Sequence, residues 1–375
     1  MTAGADPVRV AYAVEQCWHD APGGTAVAAV EIGRELRSRC DVDVRFVAGK
    51  HPRPPEATFA PPGPVAMLPL ARPLLYETWT RLRWPKVESV TGPVDVAHAT
   101  GLVPCASSAP LVVTVHDVAF LHDPGKFTRH GVALMTRSLA VARERAARVV
   151  CSSRATHDDL LEHGFDPDVV RVVPLGVDPV VATASERADA RRRHDLPDEY
   201  VLFVGTLEPR KNLPRLLDAM RRLAASGTAL PLVVVGANGW GDVRAGLGDA
   251  AGGVGPGTVD VRFTGFVDAA DLRGIYACAT VFAYPSEREG FGLPVAEAMA
   301  RSTPVVTSRA TSTEEVAGGA AVLVDPFDVD DIARGIAEAL GRSDELVAAG
   351  RARAAELTWE RSAVATLDVY RELRR

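Results

Sequence analysis

Cysteine is scarce in this chain of 375 residues: Cys17, Cys40, Cys105, Cys151 and Cys278 are odd in number, far apart and never paired as Cys-x-x-Cys. That argues against a disulfide framework and a cysteine zinc site, and leaves five small buried hydrophobes in a reducing compartment. Positive charge is not in excess. With 42 Lys and Arg against 48 Asp and Glu, a net charge of −6 gives no blanket reason to expect nucleic acid as a partner. Long apolar runs are also missing, because the most apolar windows, such as 97–116, are broken by Pro, Ser and Gly well short of a membrane span. The first residues, Met1 to Arg9, lack the basic start and apolar run of a signal peptide, so a cytoplasmic protein is expected.

What is present is ordinary for a globular protein, 47% hydrophobic and 24% charged residues. The length exceeds what one core usually supports, so two domains are expected. Short apolar runs such as Val8–Val14, Leu111–Val115, Tyr200–Val204 and Leu232–Gly236 alternate with segments of helical spacing throughout. That alternation predicts an α/β chain with parallel sheets covered on both faces. An Ala/Arg/Asp-rich stretch, Thr183–Asp198, has few large apolar residues and is expected to hold the connection between domains. The expected boundaries are 1–180, 181–358 and a last helical segment, 359–375.

The most informative stretch is Tyr284–Glu297, between the buried strand Ala279–Tyr284 and the helical segment Val295–Arg301. Glu289 and Glu297 bracket a turn that holds Gly290 and Gly292, and Pro294 suits the first turn of a helix. The two carboxylates can then face one pocket, with the amides of Phe291, Gly292 and Leu293 at a helix N-terminus. Such an arrangement suits an anionic, hydroxyl-rich ligand. Earlier, Arg210 and Lys211 follow a strand and the turn at Gly205, where two cations are placed to neutralise a diphosphate.

In the first half, Leu111–Val115 runs straight into His116 and Asp117, a polar pair at the carboxyl end of a buried strand, where ligands bind in open α/β sheets. Gly23 and Gly24 form a glycine turn between a strand and a helix expected from Ala26. Asp41 and Asp43 stand in an alternating strand whose period alone explains both, so no metal pair is assigned. Leu74–Lys86 is basic, amphipathic and Trp-bearing. It reads as a surface helix with Trp79 and Leu82 packed inward, or as contact with an acceptor or an anionic membrane face.

Glu289 to Glu297 resembles the Glu-x7-Glu motif of retaining, sugar-nucleotide-dependent glycosyltransferases of family 4, and the resemblance spans nearly the whole chain, strongest from Val201 to Pro326. It implies the GT-B fold, two doubly wound Rossmann-like domains facing a central cleft, with the last segment crossing back onto the first domain. It implies that Glu289 and the amides of Phe291, Gly292 and Leu293 hold the donor sugar while Glu297 binds the ribose. His116 would reach the donor sugar and face Glu289, and Gly23 and Gly24 would lie against acceptor and donor phosphates. Gly265 and Phe266 would border the base, Ala237–Asp242 would approach the nucleoside, and His122 and Asp123 would lie near the acceptor. Lys211 matches directly, whereas Thr206 stands where the family often has Arg, so Arg210 is assigned as its substitute.

The implied reaction is a retaining hexosyl transfer from a nucleotide-diphosphate sugar to a hydroxyl of a glycan, lipid-linked or small-molecule acceptor, with no metal required. GDP-mannose is the first choice of donor, because Gly205–Leu213 and Ala321–Pro326 look most like bacterial mannosyltransferases of polysaccharide assembly. Two rivals share the two-domain outline: a non-hydrolysing sugar-nucleotide epimerase, against which the Glu-x7-Glu pattern and Arg-Lys turn speak, and a non-enzymatic sugar-binding protein, which would normally carry an export signal.

Overall fold

In the computed structural model, residues 6–20, 22–237 and 258–374 are described. The chain divides into two compact units, one made of everything up to Gly176 together with Trp359–Arg375, the other of Val177–Thr358. The loop expected near a nucleoside, Ala237–Asp242, lies outside the described residues from position 238 on.

The first unit is built on strands β1 (Val8–Ala13), β2 (Val42–Ala48), β3 (Val65–Met67), β4 (Val96–Ala99), β5 (Leu111–Val115), β6 (Arg148–Cys151) and β7 (Val170–Val172). Their spatial order is β3-β2-β1-β4-β5-β6-β7, and their pairings are parallel. β4 and β5 are buried along their whole length, as expected when helices cover both faces of a sheet, and their two polar side chains, His98 and Thr114, bond each other (2.8 Å). Ala13 at the end of β1 pairs with Val47 on one side and Ala99 on the other. The strand order reverses there, which opens a crevice beyond the carboxyl ends of β1 and β4.

The helix Trp359–Leu373 completes this unit by packing against Gly23–Arg37. Ala363, Leu367 and Tyr370 are buried, and a fully buried Leu contributes roughly 1.5–3 kcal/mol. The Tyr370 hydroxyl lies 2.6 Å from His98 Nδ1, and Glu372 pairs with Arg148 and Arg171.

The second unit repeats the plan with β8 (Val201–Val204), β9 (Leu232–Val235), β10 (Val261–Gly265), β11 (Val281–Tyr284), β12 (Val305–Ser308) and β13 (Val322–Val324). Their order is β10-β9-β8-β11-β12-β13, again parallel, with the reversal between β8 and β11.

Three local expectations change. The stretch expected to connect domains is a helix, Ala184–Arg193, started by a capping box between Thr183 and Glu186. It needs no large apolar residue, because Ala190 sits directly on Gly274, where an added Cβ would lie 2.7 Å from that of Ala190. The Gly23-Gly24 turn is itself the first turn of the helix Gly23–Arg37, entered from an already helical Pro22, with Gly23 at a left-handed φ of +57° that glycine tolerates. In Leu74–Leu82, Trp79 is buried and donates its indole N–H to the Pro85 carbonyl, but Leu82 points outward with Leu74 and Trp84. Among the described residues, no helix is long and apolar enough to cross a membrane.

Candidate functional site

In the second unit, the site grows from the carboxyl ends of β8 and β11. β8 leads into Gly205, whose φ of +152° and contact with Lys211 leave no room for a side chain: a Cβ would lie 2.7 Å from the Lys211 Nζ. Gly236, after β9, packs its Cα on the Gly205 carbonyl. The turn Pro209–Lys211 follows, and Asn212 locks it by donating its side-chain amide to the carbonyls of Pro285 (3.0 Å) and Pro326 (2.6 Å). Asn212 takes a φ of +64°, which suits asparagine, and Leu213–Ala225 continues as a helix.

Lys211 is thereby held at 9% exposure, with Nζ 5.6 Å above the centre of the Tyr284 ring. Among the described residues it makes no ion pair, and burial pulls its pKa below the usual lysine value although Glu289 opposes this. Arg210 differs from its expected role as a spare cation, because it is already spanned between two acids. Its Nε donates to Glu208 (2.8 Å), and its Nη1 lies 2.7 Å from Glu289 and donates to the Arg288 carbonyl.

Glu289 also accepts hydrogen bonds from the hydroxyls of Tyr284 (2.7 Å) and Ser286 (3.0 Å), and Ser312 donates to its backbone carbonyl. Burial works against its charge, yet Arg210, Lys211 and these hydroxyls hold its pKa down at about 2. Glu297, within the helix Leu293–Ala300, has among the described residues the Tyr276 hydroxyl (2.9 Å) as the one hydrogen-bond partner of its carboxylate, and burial raises its pKa. Glu208 is likewise raised by burial despite Arg210. Lys211 feels Glu208, Glu289 and Glu297 together, so the structure gathers the predicted cations and glutamates into one electrostatic cluster.

The helix Leu293–Ala300 begins at Gly292, which takes a φ of +100° and carries no side-chain cap. A Cβ at Gly292 would lie 2.7 Å from the Thr313 methyl, so the loop between Phe291 and Leu293 is confined as well as bent. Pro294 has no N–H and the Val295 amide bonds the Gly292 carbonyl (2.9 Å), so the amide this helix start offers an anion is that of Leu293. At the end of β10, Gly265 (φ +73°) turns the chain and Phe266 stands exposed.

In the first unit, a cavity of about 310 Å³ opens beyond the ends of β1, β4 and β5. His116 and Asp117 line it, with Thr100 and Gly101 after β4. The half-buried His116 donates from Nε2 to the Thr100 carbonyl (3.1 Å), and burial lowers its pKa. Asp117 accepts the Ala119 amide on Oδ1 at 3.0 Å. Thr25 lines the cavity, whereas Gly23 and Gly24 do not. His122 and Asp123, expected near an acceptor, pair with Asp159 (2.9 Å) and Lys126 (3.0 Å), respectively.

Asp41 pairs with Arg39 and Arg371, and Asp43 with Arg45, as befits solvated strand carboxylates. Among the described residues no group of three or more His, Cys, Asp or Glu is gathered to hold a metal ion. The residues missed in the sequence are Glu208, Asn212, Tyr276, Tyr284 and Ser286 around the glutamates, and Gln16 and Phe120 in the cavity. A signal existed for Tyr284, a hydroxyl at the last position of an otherwise apolar strand.

Comparison with known proteins agrees with this geometry. The family model described as "Glycosyl transferases group 1" matches residues 185–355, and "Glycosyltransferase Family 4" matches 22–181. The O-antigen chain mannosyltransferase B of Escherichia coli is 32% identical over 276 residues, 70% of each chain. A D-inositol 3-phosphate glycosyltransferase of Geodermatophilus obscurus is 31% identical over 93% of this chain and 84% of its own. A crystal structure of Anabaena HepE in complex with UDP and glucose has the same fold, with a TM-score of 0.73 at 17% identity, covering 97% of this chain and 100% of that one. With two Rossmann-like units, a gathered Glu-x7-Glu site and these relatives, the chain belongs to the family 4 glycosyltransferases of the GT-B fold.

Proposed function

We propose that the protein is a retaining hexosyltransferase that takes a nucleoside-diphosphate sugar on the Val177–Thr358 unit and delivers the hexose to an acceptor hydroxyl without a metal ion. The observation that carries this reading is the buried, ion-pair-free Lys211 in the same cluster as Glu289 and Glu297, one unit with the uncapped helix N-terminus at Gly292. Glu208, Glu289 and Glu297 act on this buried ammonium, but among the described residues none of them forms an ion pair with it, and a diphosphate would supply that direct contact. As the glycosyl–phosphate bond breaks, negative charge grows on the diphosphate, where Lys211 and the Leu293 amide act as preorganised donors.

Glu289, kept ionised, accepts hydroxyls of the donor sugar, and Glu297 accepts those of the ribose. Gly205 and Gly265 let the backbone approach the nucleotide, with Phe266 offering a ring to the base. Arg210 acts chiefly by holding Glu289 in place. His116 contacts the donor sugar, and Asp117 the acceptor. No carboxylate has been identified as a nucleophile, so no covalent glycosyl-enzyme is invoked. GDP-mannose is the preferred donor on the mannosyltransferase relative, while the UDP bound by HepE makes a UDP-hexose the alternative.

The test is thermal stabilisation by GDP, UDP, TDP and ADP, followed by transfer assays with the matching sugar nucleotides, with and without chelator. Stabilisation by GDP above the others, transfer from GDP-mannose that survives chelation and an α-linked product are expected. Stabilisation by none of the four removes the reading.

A further inference from the structure

The cavity of the first unit has a chemistry of its own that narrows the acceptor. Among the described residues, its wall contains no Arg or Lys. The charged groups in it are the carboxylates of Glu15 and Asp117, and its two histidines, His19 and His116, are both shifted by burial toward the neutral form. Arg72 is close enough to His19 to add to that shift but is not in the wall, and its guanidinium is 3.9 Å from Asp20.

The hydrogen-bonding inventory points the same way. Because a carbonyl only accepts, the His116 bond to Thr100 places the proton on Nε2 and leaves Nδ1 as an acceptor. The Gln16 amide nitrogen is committed to Thr100, at 2.6 Å from its hydroxyl and 3.0 Å from its carbonyl. Asp117 is an acceptor as a carboxylate, whereas the Glu15 oxygens already face the Gly49 amide (2.6 Å) and His51 Nε2 (3.0 Å), and the bonded His19–Tyr76 pair keeps one proton to donate. The polar side of the cavity thus suits hydroxyl groups, which both donate and accept, and not a phosphate dianion, which only accepts and meets two carboxylates. Leu102, Val103, Leu134 and Met135, half-buried side chains, add apolar surface to the lining. The volume, about 310 Å³, is at the lower end of small-molecule sites, which run from about 300 to 1,000 Å³.

Resting on the transferase reading above, we infer that this cavity takes a neutral, polyhydroxylated ring as the acceptor, an unphosphorylated sugar unit or its glycoside, and rejects the same ring carrying a phosphate monoester. The apolar side chains cover one face of the ring, and Asp117 accepts hydrogen bonds from its hydroxyls.

Ligand-observed saturation-transfer NMR on the full chain tests this with methyl hexopyranosides of gluco, manno and galacto configuration against the corresponding hexose 6-phosphates and inositol 1-phosphate. At least one neutral hexoside is expected to bind at millimolar concentration, about tenfold or more tighter than its phosphorylated counterpart. Asp117→Asn, which retains the oxygen that accepts the Ala119 amide, should weaken that hexoside severalfold. Leu134→Lys, which adds a cation to the lining, should reverse the preference. No neutral hexoside binding, equal or tighter binding of a phosphorylated ring, or a preference unmoved by both variants overturns the inference. Nucleotide stabilisation measured on the same preparations separates the two readings: a chain that binds hexosides but no nucleotide refutes the donor assignment alone, and the converse refutes this one alone.

Discussion

The two units share a topology, and the ends of their strands have opposite chemistry. In the Val177–Thr358 unit, Glu208, Arg210, Lys211, Glu289 and Glu297 act on one another beyond β8 and β11, packed tightly enough that two glycines touch. In the other unit, the ends of β1, β4 and β5 surround an open cavity lined by apolar side chains and two carboxylates. A fold of this kind supplies only the crevice, and the side chains set into it decide what is recognised. On the readings proposed above, charge is preorganised where a diphosphate would be held, and space is left where a neutral ring would fit.

Glycine substitutions break the comparison most severely. At Gly236 an added Cβ would lie 2.1 Å from the Gly205 carbonyl oxygen, at a φ of +145°. Gly236→Ala is expected to cost about 2–5 kcal/mol, overpacking and backbone strain combined. At Gly101, beside the cavity, the nearest atom to an added Cβ is Gln16 Oε1 at 4.0 Å, so Gly101→Ala should stay within about 0.5 kcal/mol of wild type. Urea denaturation of both variants checks the contrast, and equal costs would deny that one crevice is tight and the other open.

Next in size is a kinetic effect in the first unit. His116→Ala should lower kcat by about 10²-fold, the scale of one positioned catalytic contact, with nucleoside-diphosphate affinity near wild type. Steady-state transfer and equilibrium nucleotide binding on one preparation decide it. Normal turnover would make His116 a structural partner of Thr100. Lys211→Ala is the mirror case: nucleotide binding should weaken by roughly 1.5–3 kcal/mol while hexoside binding to the first unit is unchanged. Intact nucleotide affinity in the folded variant would show that the buried ammonium serves packing only.

The difference between the units also explains what was legible in the sequence. Alternating strands and helices gave the fold class, because buried parallel strands are largely apolar along their length. Glu289, Gly292 and Glu297 stood out because one loop and one helical turn supply all three, and Lys211 adjoins its strand in the same way. The cavity was not legible, since its wall comes from segments as distant as Gln16, Trp79, Leu102 and Leu134, each of which reads as ordinary core. Tyr276 and Tyr284 were hidden for a related reason: their rings count as apolar, and only the three-dimensional structure shows their hydroxyls on the two glutamates.

The smallest expected effect separates those glutamates. Glu289 has a folded-state pKa of about 2 against an ordinary 4.5, so its charge stabilises the fold above pH 4.5, and that contribution is lost as the pH falls from 4.5 toward 2. Glu297 is raised, so above pH 4.5 the fold holds its charge at a cost. Glu289→Gln should therefore destabilise the protein at pH 7, with the deficit shrinking through the acid window. Glu297→Gln, which resembles the protonated form, should be neutral or slightly stabilising at pH 7. Their binding effects should run the other way. Glu297→Gln is expected to weaken free nucleotide and sugar nucleotide alike by a few fold, about 0.5–1.5 kcal/mol for one hydrogen bond, whereas Glu289→Gln should spare the free nucleotide and weaken only the sugar nucleotide. Denaturation from pH 3 to 7 and titration calorimetry with both ligands measure the four quantities. Equal losses for both ligands in both variants would mean that the two carboxylates do not divide sugar from ribose.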